Sequence, residues 1–278
     1  MDERITEQQG KQLIVNDAII SEGAELYHSR NDRFLSSHQL GNFRKCHALY
    51  QKMVAGLITD KDRPAYLVGR AAHTLILEGP ETFAKEYIIG GPVNPKTEKP
   101  YGPTSQKYLD WVEENSPAQP LTDAQYDMIT KMNESVRSHP QFPSLLGTGL
   151  PEGVVRYSYH GRPCQIRMDW FNPEKGIVDL KTCNSLQWME SDARRYGYIY
   201  QFAFYRSVLE AAIGERMPVY MVSVEKEEPY RAGVWRVGED ILGLAQAENE
   251  KAMDDLKRCE DTGVWDTGYE EVRSFDHL

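Results

Sequence analysis

Apolar residues recur at two different periods along this chain, and the changes between them lay out its elements. After a Ser36-Ser37 cap, Leu40, Phe43, His47 and Tyr50 follow helical spacing to about Ala55. A second helix is expected over Pro64–Glu78, stopped by Gly79-Pro80, and further helices over Gln106–Glu114 and Thr122–Ser138. The period then drops to two. Val155, Tyr157 and Tyr159 alternate, His160-Gly161-Arg162-Pro163 turns, and Cys164, Ile166 and Met168 alternate again. A turn at Asn172–Gly176 leads into a third strand, Ile177–Thr182. Helix resumes from about Glu190 to Gly214, strands follow at Val219–Val224 and Gly233–Val237, and a last helix spans about Asp240 to Cys259. Residues 1–24 are weakly patterned and expected to be partly mobile, and Ile89–Ser105 reads as a long surface loop rich in Gly, Pro, Lys and Thr. This order implies an α/β fold with a mixed sheet. The expected organisation is an N-terminal segment over 1–26, one domain over 27–260 and an acidic tail over 261–278.

Composition narrows the class. A chain of 278 residues can bury a substantial core, and no apolar run approaches the roughly 18 residues of a membrane span. The charged N-terminus lacks a secretory apolar region, so a cytoplasmic protein is expected. Cys46, Cys164, Cys183 and Cys259 are scattered, as reduced thiols are, with no CxxC pair. The net charge of −10 argues against broad electrostatic binding of nucleic acid. It is uneven, however: Glu248–Leu278 alone holds ten acidic residues against four basic ones, while Arg30–Arg70 is locally basic. A local basic track on an acidic body is compatible with an enzyme acting on DNA, and each of these charges reads equally as a solvated helix face.

The chemistry concentrates on the second hairpin. By strand alternation Gln165, Arg167 and Asp169 share one face, and Asp179 and Lys181 share a face of the next strand. The polar set is expected to look into a cleft and the apolar set into the core. Two carboxylates suit Mg²⁺ or Mn²⁺, the Leu180 main-chain carbonyl between Asp179 and Lys181 offers a third oxygen, and a lysine beside the metal can hold or deprotonate a water. Alone, the D-x-K triplet is better read as a surface ion pair, because so short a motif recurs by chance. His73 lies in an otherwise apolar helix, either as a packed core imidazole or as a metal ligand approaching the sheet. Tyr198, Gln201 and Tyr205 fall on one helical face, as cleft lining or as core aromatics. Arg194 and Arg195, near the start of the same expected helix, are candidates for phosphate contact or a solvated first turn.

Taken together, Gly69-x-x-x-His73, Asp169, Asp179-Leu180-Lys181 and Gln201-x-x-x-Tyr205 resemble the RecB-type branch of the PD-(D/E)XK nucleases, whose restriction-endonuclease-like αβββαβ core has the element order found here. Gly69-Arg70-Ala71-Ala72-His73 leading to Glu78, Gln165-x-Arg167-x-Asp169 and Ser36-Ser37-x-x-Leu40 look most like the RecE-type (exonuclease VIII-like) phage and prophage exonucleases. The resemblance covers roughly residues 27–240. It implies that core with N-terminal helices and a C-terminal helix added. Asp169, Asp179, His73 and the Leu180 carbonyl would hold one or two Mg²⁺ or Mn²⁺ ions, and Lys181 would be the catalytic lysine. Gln201, Tyr205, Tyr198, Arg167, Arg194 and Arg195 would shape the site or meet substrate. Glu78 is the least favoured member, because five α-helical residues turn it about 140° from His73. The resemblance further implies 5′-to-3′ degradation of linear double-stranded DNA, leaving 3′ single strands for a RecT-like annealing partner, by a ring trimer or tetramer in a bacterial host. A RecB-like nuclease for single-stranded or flap DNA and a catalytically silent DNA-binding phage protein are the alternatives. One cysteine after Cys183 leaves no set for an iron–sulfur cluster, and without a Walker A motif no nucleotide cofactor is expected.

Overall fold

A computed structural model describes residues 18–59 and 64–274. The expectation for residues 1–17, and the basic residues Lys61 and Arg63, therefore lie outside the described residues. The elements run β1 (Ile20–Ser21), α1 (Ala24–His28), α2 (Ser37–Lys45), α3 (His47–Val54), α4 (Pro64–His73), a π-turn (Thr74–Glu78), α5 (Pro80–Glu86), β2 (Tyr87–Ile89), α6 (Gln106–Glu114), β3 (Gln119–Leu121), α7 (Asp123–Ser138) and α8 (Phe142–Leu146). They continue as β4 (Leu150–Tyr159), β5 (Arg162–Asn172), β6 (Gly176–Cys183), a 3-10 turn (Leu186–Trp188), α9 (Met189–Arg195), α10 (Tyr198–Ile213), β7 (Val219–Glu225), β8 (Ala232–Arg236) and α11 (Glu239–Thr262).

The main sheet has the order β1-β4-β5-β6-β7-β8. β4, β5 and β6 form an antiparallel meander, the α9–α10 crossover brings β7 parallel to β6, and β8 returns antiparallel. This is the α/β arrangement with a mixed sheet that the periodicity predicts. Helices cover both faces. On one side Phe202, Phe204 and Val208 of α10, with Leu242 and Leu256 of α11, pack on Ile166, Ile177 and Val219. On the other, Ala71 and Leu75 of the α4 arm and Ile129 and Met132 of α7 pack on Val178, Leu180, Val222 and Val224. The expectation of one cleft face and one core face on β6 is thereby corrected. Ile177-Val178-Asp179-Leu180 is buried on both sides of the strand, the Asp179 carboxylate included, because both sides are covered.

Two expected helices are each two. The first breaks at Cys46, whose backbone is extended (φ −171°, ψ 119°) and whose Sγ accepts the Leu49 N–H at 3.4 Å. Its start is as predicted, with Ser36 and Gln39 in a reciprocal capping box. The second breaks at Gly197, which is left-handed (φ 76°). Arg194 and Arg195 therefore end α9 instead of sitting on the first turn of the helix that carries Gln201. The Pro64–Glu78 helix widens after His73 into a π-turn closed by Gly79 N–H to Thr74 O at 3.0 Å.

Candidate active site

The site forms where the β5–β6 hairpin comes apart. Its turn is held rigidly: Asn172 Oδ1 accepts the Glu174 and Lys175 N–H groups at 2.9 and 3.0 Å, and the Asn172 amide donates to the carbonyls of Ser144 and Leu145. Ladder pairing covers only Asn172↔Gly176, Phe171↔Ile177 and Trp170↔Val178. Beyond that the strands splay, and the Asp169 side chain takes over a ladder position: its Oδ2 accepts the Leu180 N–H at 2.8 Å. Strict alternation fails at the same place. Met168 and Phe171, three residues apart, join one apolar cluster, while Trp170 packs against the other.

The other neighbour of Asp169 is on β4. Pro151↔Trp170 and Gly153↔Met168 leave Glu152 opposite Asp169, and Glu152 is left-handed (φ 54°), a conformation that costs a non-glycine residue about 1–3 kcal/mol. From the helical layer His73 places Nδ1 3.5 Å from Asp169 Oδ2 and makes a hydrogen bond to the Leu180 backbone. His73, Glu152 and Asp169 each offer a ligand atom, all within 4.8 Å of one another. Glu152 was not singled out from sequence, although a two-residue turn at His160-Gly161 (Tyr159↔Arg162) fixes the register that puts it across from Asp169.

Electrostatics bind this group together. Burial, the Asp169 charge and, more weakly, Glu78 push the Glu152 carboxyl up to about 8, against the opposing pull of Arg167, whose Nε is 2.9 Å away. Arg167 thus belongs to the site by pairing with Glu152. Burial holds the His73 imidazole below the ordinary histidine range and so keeps it neutral, the form that ligates metal. Glu78 ends the π-turn, so the 140° rotation of a regular helix does not apply to it. The i→i+5 closure of the π-turn carries it back over the His73 side, where its charge reaches Glu152. Its carboxyl is held above the ordinary range by burial and by Glu86.

Asp179 is 0 % exposed and forms a close ion pair with Lys181. Burial and Asp169 drive its carboxyl up to about 7 despite that lysine. Burial opposes the Lys181 charge, but Asp179 and Asp169 outweigh it and hold the ammonium above the ordinary lysine value. Lys181 also lies 5.0 Å from the Tyr198 ring centroid. Gln201 Nε2 is 3.4 Å from Asp179 Oδ2 and donates to the Tyr205 hydroxyl at 3.1 Å, and Tyr205 is hydrogen-bonded to Ser37. The Ser36-Ser37 cap is thereby tied to the acidic centre. Gln201, Tyr198 and Tyr205 also line a cavity of about 700 Å³ that extends past Arg194 and Arg195. The sequence-derived residues thus fall into three sets: His73, Asp169 and Arg167 with Glu152, Asp179 with Lys181 and Gln201, and Arg194 and Arg195 along the cavity. One imidazole and two carboxylates suit a small divalent cation, and the high affinity of Glu152 and Asp179 for protons marks a shortage of positive charge that such a cation relieves.

A family model described as a PDDEXK-like domain of unknown function (DUF3799) matches residues 36–277. Among solved structures, a crystal structure of a "putative exonuclease" from Eubacterium rectale superposes with a TM-score of 0.68 at 19% identity, covering 93% of this chain and 97% of that one. At that identity the likeness is one of fold. No curated protein matches the chain. Among the described residues no helix is long and apolar enough to cross a membrane.

Proposed function

We propose that this chain, which belongs to the DUF3799 family of PDDEXK-like domains, is a metal-dependent DNA exonuclease. The observation that carries the reading is the convergence, at one splayed hairpin, of the His73, Glu152 and Asp169 ligand set with the buried Asp179–Lys181 pair. His73, Glu152 and Asp169, with Asp179 and the Leu180 carbonyl beside them, would hold Mg²⁺ or Mn²⁺. When bound, the cation supplies Lewis acidity at a phosphoryl oxygen and a water of lowered pKa.

The chain's own residues do the rest. Asp179 and Asp169 favour the ammonium form of Lys181, which suits it to orient the attacking water and to offset charge building on the phosphoryl oxygens. Gln201, locked to Tyr205, fixes the orientation of Asp179. The Arg167 pair with Glu152 limits the cost of the acidic cluster before substrate arrives.

The resemblance to RecE-type exonucleases extends the proposal to 5′-to-3′ digestion of linear duplex DNA, 3′ single strands handed to a RecT-like annealing protein, and a ring of subunits around the duplex. Lys181→Ala is expected to lower Mg²⁺-dependent digestion of end-labelled linear duplex by about 10²–10³-fold or more while DNA binding persists. Undiminished digestion removes Lys181 from the mechanism. Duplexes blocked at one 5′ or one 3′ end read the polarity: protection by the 3′ block alone overturns the 5′ assignment.

A further inference from the structure

The cavity beside Lys181 has a composition unlike the rest of this acidic molecule. Arg44, Lys45, Arg194 and Arg195 line it against a single carboxylate, Glu248, in a chain of net charge −10. Tyrosines supply much of the remaining wall, among them Tyr196, Tyr198 and Tyr200. The cations differ in availability. Arg44 is committed, stacked 3.9 Å over the Tyr200 ring and bonded to Asn249. Arg194 and Arg195 stand exposed at the end of α9, with the Arg195 guanidinium 5.7 Å from the Tyr196 ring centroid. Tyr196, next in the chain, is 59 % exposed although its ring lies 5.8 Å from that of Tyr198, which in turn lies 5.0 Å from the Lys181 ammonium.

Its backbone is not loose. The Tyr196 N–H bonds Asp192 O at 2.8 Å and the Gly197 N–H bonds Arg194 O at 3.2 Å, so the left-handed turn at Gly197 fixes the backbone from which the ring projects. An exposed aromatic beside a cationic rim is the arrangement by which proteins hold unpaired nucleotides, the ring taking the base and the cations the backbone. A cavity of about 700 Å³ has room for a nucleotide or two, and a base held inside a duplex stack offers no face to an aromatic ring on its wall.

We infer that Tyr196 is a base-stacking residue, which holds an unpaired nucleotide of the strand being cut while Arg194 and Arg195 contact its phosphates. The inference rests on the nuclease reading above and adds a specificity to it: the strand enters the site unpaired, so frayed or overhanging ends are favoured over blunt ones.

The test is a cycle between side chain and base, run with the full chain in Ca²⁺ to hold cleavage back. Fluorescence anisotropy reads the binding of duplexes with a short single-stranded end, carrying either a normal or an abasic terminal nucleotide. Tyr196→Ala is expected to weaken binding of the normal end by about tenfold or more and to leave binding of the abasic end unchanged, with Tyr196→Phe close to wild type. Equal weakening on both ends, or none on either, overturns the stacking role. Binding of blunt duplex with no gain from an overhang overturns the inference and leaves the nuclease reading standing. No binding of any DNA by the wild-type chain removes both.

Discussion

At the scale of single residues, Glu152 has the most to test. It adopts a left-handed backbone, faces Asp169 across the β4–β5 ladder, and holds its proton up to about 8. A group whose folded pKa lies above its unfolded value stabilises the protein fully at low pH and loses that contribution as pH rises to the folded pKa. For Glu152 the window runs from its ordinary value of 4.5 to about 8. His73 works in the opposite direction. Its pKa is lowered, so its contribution is present at high pH and lost as pH falls. The quantity to measure is therefore a difference. In metal-free protein the melting temperature of Glu152→Gln minus that of wild type should increase from pH 5 to pH 8. A flat difference would show that the carboxylate is not strained by its neighbours. The same substitution should weaken Mn²⁺ binding by calorimetry about tenfold or more, because it removes one of three clustered ligands.

At the scale of elements, the hairpin is the part that positions the chemistry, and two glycines distinguish what it tolerates. Gly176 opens β6 at φ 100°, and a Cβ there would lie 2.2 Å from the Pro218 carbonyl oxygen. Gly176→Ala should cost about 2–4 kcal/mol in denaturant unfolding and weaken metal binding with it. Gly69, four residues before His73 in α4, would place a Cβ 3.7 Å from Thr182 Oγ1, an ordinary contact. Gly69→Ala should be neutral or stabilise by about 0.5–1 kcal/mol, and a marked loss would show that α4 must approach β6 more closely than it does here. The elements themselves were legible from periodicity, because a meander with a helical crossover writes period two and then 3.6 into the sequence. Less legible was the break at Cys46, since a cysteine does not announce an extended backbone, whereas the glycine at 197 is a readable stop signal. The π-turn that carries Glu78 leaves no mark in an apolar helical pattern. Glu152 was recoverable: once His160-Gly161 is taken as a two-residue turn, counting back along β4 reaches it.

At the scale of the whole molecule, charge sets the problem. Ten acidic residues lie between Glu248 and Leu278, and the cations near the proposed site are few, so attraction to DNA is local. If only three phosphates are neutralised, by Lys45, Arg194 and Arg195, the salt dependence of single-strand binding should be shallow, with a log–log slope of about −2. A protein held on DNA by so few contacts would dissociate quickly unless it encloses the duplex, and the proposed ring supplies that retention. The two properties separate in a salt-jump experiment. Enzyme is loaded on long linear duplex at low salt without Mg²⁺, and Mg²⁺ is then added together with salt high enough to prevent loading. A ring continues to digest the molecules it already encloses, so product accumulates to the extent of the loaded fraction. An open monomer releases its substrate within the mixing time and digestion stops. Light scattering on the same sample gives the subunit number. A monomeric mass together with arrest at the jump overturns the ring, while the assignments of Asp169, Asp179 and Lys181 continue to rest on the metal-binding and cleavage measurements.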